Sequence, residues 1–255
     1  MTTPRTDYVQ SLARGLAVIR AFDAGNPERT LSEVARATGL TRAAARRFLL
    51  TLVALGYVRT DGRLFALTPR VLELGYSYLS SLTLPEVATP HLEALSRTVG
   101  ESASMSVLDD GEVVYVARVP TTRIMSVAIT IGTRFPAFAT SMGRVLLAAL
   151  PPARLDEVLA GLETRRLTAH TLTDVAALRR ELEKVRAAGH CLVDQELELG
   201  LRSLAVPVRD RSGAVAAAVN ISTQTTRGTP EELLRDVLPA LEACAAAIET
   251  DLRPT

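Results

Sequence analysis

A chain of 255 residues is too long for one small domain and suits two. With 47% hydrophobic and 22% charged residues it has an ordinary globular composition, and no apolar run reaches the roughly 18–20 residues that span a bilayer. The net charge of +1 favours no class of partner, but its distribution does: residues 1–68 hold ten arginines against five acids, and the remainder sums to −4. The first ten residues lack the apolar core of a signal peptide, so a cytoplasmic location is expected. Cys191 and Cys244 stand far apart and outside any CxxC pair, which argues against a disulfide framework or a zinc finger. His91, His170 and His190 lack metal-ligand spacing, so neither a metal nor a cofactor is expected.

Residues 11–24 carry apolar positions at helical spacing, with Ser11 as N-cap and Gly25-Asn26-Pro27 as the stop. Thr30 or Ser32 then caps a helix over 33–38. Gly39 supplies the left-handed position that ends it, and Thr41 caps a third helix. On a helical wheel Ala44, Phe48, Leu52 and Leu55 fall on one arc and are expected to face the core. Arg42, Ala43, Arg46 and Arg47 fall on the other. Residues 57–60 and 64–67, joined by Asp61-Gly62-Arg63, have the signal of a hairpin with Arg63 at its tip.

Helix, glycine turn, arginine-rich helix start and hairpin, in that order, predict a winged helix-turn-helix. The small Ala43 lets the helix approach a groove. Arginine forks pair with guanine or clamp phosphate, and the Thr41 end of the helix favours phosphate. Thr41, Arg42, Ala43, Arg46, Arg47 and Arg63 are therefore the expected contacts to double-stranded DNA. Thr68-Pro69 breaks the chain after the hairpin. Residues 70–82 then read as a linker helix apolar on more than one side, which suits packing against a partner chain.

Beyond it the pattern predicts a helix over 85–99, strands over 102–108, 113–119 and 125–131, and a loop over 132–141. Helices are expected over 141–150, 152–162 and 174–188, then strands over 190–193, 203–208 and 214–222. A long helix over 230–252 closes the chain. Strands, helices and strands again argue an α+β domain around an antiparallel sheet. No nucleophile elbow, phosphate loop or dinucleotide fingerprint occurs, so no catalytic residue is expected. Asp194, Glu196 and Glu198 alternate and on an extended segment would share one face.

The runs SLARGLAVIRAF, TLSEVARATGLTRAAARRFLLTLVALGYV, GTRFPAFATSMGRVLLA and DQELELGLRSLAVPV together resemble the IclR family of bacterial transcription regulators. PRVLELGYSYLSS, ATSMGRVLLA and QELELGLRSLAVPV are similar to the branch that controls protocatechuate, 4-hydroxybenzoate and β-ketoadipate catabolism. The resemblance implies a winged helix-turn-helix over 1–68, a linker helix over 69–83 and a GAF-like α/β effector domain over 84–255. It implies a homodimer or a dimer of dimers, and a small organic acid bound on the sheet. Carried over residue by residue, Ser141, Met142, Asp194, Ser203, Asn220 and Ser222 would line that pocket. An acid arrives as an anion and needs a cationic partner when buried. Arg134 and Arg202 are the candidates, although Arg202 and Ser203, as strand neighbours, cannot both point inward. Phe135 and Phe138 either stack on a ring or fill the core.

The expected function is a DNA-binding regulator governed by an aromatic or β-ketoadipate-type acid, with RNA polymerase as a further partner if it activates. Two rivals remain at this point. One is a metabolite-binding or enzymatic domain with a vestigial DNA module, and the other is a DNA-binding dimer that needs no ligand.

Overall fold

The computed structural model describes residues 8–74, 83–121 and 129–252. The chain divides into two compact units, Met1–Ser81 and Leu82–Thr255.

In the first unit, α1 (Gln10–Arg20), α2 (Leu31–Thr38) and α3 (Arg42–Ala54) surround a core of Val18, Val34, Leu49, Leu52, Val58 and Phe65. Local chemistry fixes the boundaries. The Thr30 side chain accepts the Glu33 amide while the Glu33 carboxylate accepts the Thr30 amide at 2.7 Å, a reciprocal cap at the start of α2. Gly39 adopts φ +65° and stops α2. Two residues later Thr41 caps α3, accepting the Ala44 amide at 3.2 Å. Strands β2 (Val58–Thr60) and β3 (Leu64–Leu67) make the expected hairpin, and β1 (Glu28–Thr30) joins it in the order β1-β3-β2. The sequence ERT has no apolar alternation, and β1 exists only through its long-range pairing with β3. The wheel reading of α3 is off by one residue. Ala45, Leu49 and Leu52 are buried, Ala44 and Phe48 are half-buried, and Leu55 is exposed. Apolar residues flank both arcs, so periodicity cannot choose between them; packing on Val18 and Val34 does.

The second unit begins with α4 (Thr83–Val99), β4 (Ser102–Asp109), β5 (Glu112–Val119) and β6 (Arg134–Pro136). Then come α5 (Ser141–Ala149), α6 (Pro152–Ala160) and α7 (Val175–Ala188). The unit ends with β7 (Cys191–Asp194), β8 (Leu201–Arg209), β9 (Val215–Gln224), α8 (Pro230–Asp236) and α9 (Leu238–Asp251). Among the described residues the sheet has six strands in the order β6-β5-β4-β9-β8-β7, all pairs antiparallel. Period-two alternation sends Ala103, Met105, Leu204, Val206, Val219 and Ile221 to a core under α4 and α9. It sends Val113, Tyr115, Cys191, Val193, Ala205 and Ala218 to a second core under α5, α6 and α7.

The closing helix is two helices, not one. Pro239 lies in the first turn of α9, where its missing amide is tolerated, and it cannot continue a helix from 230. Strand β6 falls within the stretch expected as loop. The expected strand over 125–131 lies mostly outside the described residues, as does most of the linker helix over 70–82, after a short turn at Pro69–Val71.

Candidate functional site

The first unit presents a cationic face on α3. Arg42, Ala43, Arg46 and Arg47 are exposed beside Thr41. Among the described residues none of these three guanidiniums has an ion-pair partner. At the wing, the Asp61 carboxylate accepts the amides of Leu64 and Arg63 at 2.7 and 2.8 Å, and Gly62 takes φ +95°. These bonds, the Leu64 amide foremost, hold the Asp61 carboxyl below its usual range. Arg63 is left exposed at the tip. Other arginines of the unit are committed: Arg59 pairs with Glu28 at 2.9 Å, and Arg70 pairs with Glu73 and lies 5.5 Å over the Tyr57 ring.

The second unit carries a polar stripe buried under α5. The alternation Ser102, Ser104, Ser106 on β4 points three hydroxyls to the α5 side, each almost fully buried. Ser104 is directly opposite Arg118 on β5 and Asn220 on β9, while Ser102 is opposite Ser222, and Ser222 opposite Ser203. Arg118 donates to Ser104 Oγ at 3.1 Å, and Asn220 Nδ2 donates to Ser222 Oγ at 3.1 Å. Partial burial lowers the Arg118 pKa, with Tyr115 acting weakly the other way.

The roof of the stripe is the start of α5. Thr140 caps it, accepting the Gly143 amide at 3.1 Å, and Ser106 Oγ donates to Met142 Sδ at 3.2 Å. Only glycine fits at 143, because a Cβ there would stand 2.2 Å from the Ala137 carbonyl oxygen. Buried polar atoms are nearly always paired. Here Ser141 Oγ and Asn220 Oδ1, buried on the same side of the sheet, have no partner among the described residues.

The eight residues expected around a ligand therefore separate. Ser203, Asn220 and Ser222 share the α5 side of the sheet, and Ser141 and Met142 begin the helix packed on that side. Asp194 and Arg202 do not join them: both lie on the α4 side, where Arg202 Nη2 meets Asp194 Oδ2 at 2.9 Å and Nη1 meets the Gly228 carbonyl. Arg134 is on the edge strand β6, held by Asp109 and Glu112 at 2.7 Å each, and these hydrogen bonds, Glu112 foremost, raise its pKa. Phe138 is core, and Phe135 meets Tyr115 edge-on at 5.7 Å.

Nor do Asp194 and Glu196 share a face. Strand β7 ends at Asp194, and Gln195 at φ +61° turns the chain, so Glu196 reaches Arg144 on the α5 side at 2.6 Å. Sequence reasoning misses Arg118 and Arg144. The alternating serines of β4 are the signal that points to Arg118. Arg144 carries no such signal, being in sequence one more arginine within a helix.

Two family models match the chain in succession. Residues 11–62 match the IclR helix-turn-helix domain, and residues 76–250 match the C-terminal domain of IclR bacterial transcriptional regulators. The Pca regulon regulatory protein of Pseudomonas putida is 46% identical over 94% of this chain and 82% of its own length. A transcriptional regulator from Rhodococcus sp. RHA1 superposes with TM-score 0.87 at 63% identity, covering 96% of this chain and 98% of that one. An IclR homologue from Microbacterium hydrocarbonoxydans, solved with 4-hydroxybenzoate, superposes with TM-score 0.86 at 30% identity over 96% of this chain and all of that one.

Proposed function

The chain belongs to the IclR family of bacterial transcriptional regulators, and from that premise we propose that an aromatic acid on the α5 side of the sheet sets its affinity for operator DNA. A dimer, or a pair of dimers, places two copies of α3 in successive major grooves of one operator. Thr41, Arg42, Ala43, Arg46 and Arg47 face the groove, and Arg63 meets a flanking phosphate. The protein works in the cytoplasm, where the DNA is, and meets RNA polymerase there if its site activates a promoter.

The observation that carries the ligand reading is the pair of unpartnered buried atoms, Ser141 Oγ and Asn220 Oδ1, on the side of the sheet where Arg118 lies in register. Arg118 takes the carboxylate from the α5 side of the sheet, whereas Arg134 lies on the edge strand and Arg202 on the α4 side. Ser104 separates Arg118 from Asn220, so their backbones lie two strand spacings apart, about 9–10 Å, and the Arg118 guanidinium reaches back over Ser104. Asn220 spends its amide on Ser222 and keeps a carbonyl oxygen that accepts a hydroxyl. An acid with its hydroxyl at the far end of the ring spans that line; one with the hydroxyl beside the carboxylate does not. The ligand of the Microbacterium homologue, 4-hydroxybenzoate, has the spanning shape.

Fluorescence anisotropy with the intergenic DNA beside the gene tests the whole reading. Salt-sensitive, sequence-specific binding that shifts on adding 4-hydroxybenzoate or protocatechuate, but not 2-hydroxybenzoate, is expected. Binding indifferent to all aromatic acids would leave a ligand-independent DNA-binding protein.

A further inference from the structure

We propose that Arg144 and Glu196 are positioning residues of the acid site and that the adjoining Asp194–Arg202 pair reports its occupancy to helix α4. This rests on the reading just given for the polar stripe. Arg144 follows Ser141 by one turn of α5, so a ligand that moves the start of that helix moves Arg144. Its side chain is only 3% exposed and is held at two atoms: Nε donates to the Phe138 carbonyl at 2.8 Å and Nη2 to Glu196 Oε2 at 2.6 Å. Glu196 Oε2 also accepts the Leu172 amide at 2.8 Å. The Thr168 and Thr171 hydroxyls hold the carbonyls of Gln195 and Glu196 at 2.6 and 2.7 Å. A shift of Arg144 thus passes to the turn that begins at Gln195.

That turn is gripped from both faces of the sheet. On the opposite side Asp194 binds Arg202, and Arg202 binds the Gly228 carbonyl. Next to Gly228, Arg227 pairs with Glu101 at 3.0 Å. Glu101 accepts the Thr223 hydroxyl at 3.0 Å, and its carbonyl accepts Ser96 Oγ, on α4, at 2.7 Å. Helix α4 is the element by which the chain enters this unit after the DNA-binding one.

The Asp194–Arg202 pair has an alternative arrangement available. Only Nη2 and Oδ2 are joined, while Arg202 Nε and Asp194 Oδ1 are both buried without a partner among the described residues. Turning the fork to meet the carboxylate with two parallel bonds satisfies both atoms and shifts Nη1 relative to the Gly228 carbonyl. A packed element with two discrete arrangements is what a switch requires.

The test uses the full-length protein, 4-hydroxybenzoate and the same DNA. Two quantities are read: acid affinity by calorimetry, and the ratio of DNA affinities with and without saturating acid. Asp194→Asn, and Arg202→Lys, which keeps the charge but has no fork, should bind acid and DNA separately within about threefold of wild type. Each should collapse the ratio by roughly fivefold or more, a typical allosteric coupling. Glu196→Gln should weaken the acid itself by about tenfold, since it loosens the roof of the site. A wild-type response that Asp194→Asn or Arg202→Lys retains overturns the relay alone. So does a ratio that falls only in step with acid affinity, which is the mark of a purely structural pair. A wild-type ratio of one overturns both the relay and the proposed function. Should Asp194→Asn fail to fold, Arg202→Lys decides.

Discussion

The two units use the same side chain in opposite ways. On α3, Arg42, Arg46 and Arg47 stand exposed without ion-pair partners among the described residues. In the second unit, Arg144 and Arg202 are buried and hold carboxylates and carbonyls. Exposed guanidiniums contribute little to folding and are free to displace the counterions of a polyanion. Buried ones are committed to architecture, and removing one strands its carboxylate. Arg118 stands between the two cases, half-buried at the edge of a polar stripe. Position, and not residue type, separates recognition from construction.

The largest effect that can break this contrast is on DNA. Replacing Arg42, Arg46 and Arg47 together with alanine should cut operator affinity by about 10²–10³-fold. It should also lower the slope of log affinity against log salt by roughly five for a dimer, which loses six guanidiniums, with the melting temperature unchanged. Replacing Arg144 with alanine should do the reverse. It should lower the melting temperature of the second unit by roughly 10 °C, through the uncompensated Glu196, without changing the salt slope. A smaller effect is expected of Arg118→Met, which should weaken 4-hydroxybenzoate by about 10–100-fold in calorimetry.

The smallest effect concerns the thiols. Burial pushes Cys191 from 9.0 up to about 12 and Cys244 up to about 11. Below pH 9 both folded and unfolded thiols are protonated. Between pH 9 and those raised values only the unfolded thiols ionise, so urea midpoints should drift downward as pH rises through that window. Neither thiol should react with Ellman's reagent at pH 8 until the protein is unfolded.

Much of the first unit is legible in sequence because its signals are local. Thr30, Gly39, Thr41 and Asp61-Gly62 each fix a cap or a turn by their own chemistry, whatever the rest of the chain does. Strand β1 and the phase of α3 are not legible, since both are decided by distant partners. In the second unit the alternation of Ser203, Asn220 and Ser222 matches their common side of the sheet. The same alternation misleads at Asp194 and Glu196, because a left-handed Gln195 interrupts the strand and no residue type announces it. Arg134 and Arg202 qualify as acid partners by charge, yet Asp109, Glu112 and Asp194 already engage them. Charge is written in the sequence, whereas whether it is already spent is a property of the fold.

In the proposed function one chain couples the exposed arginine face to the buried polar stripe. Linkage tests it without knowledge of the route: the factor by which saturating 4-hydroxybenzoate changes DNA affinity must equal the factor by which saturating DNA changes 4-hydroxybenzoate affinity. Equal factors, each of about fivefold or more, are expected. Factors of one, with DNA and acid each still binding, would contradict it.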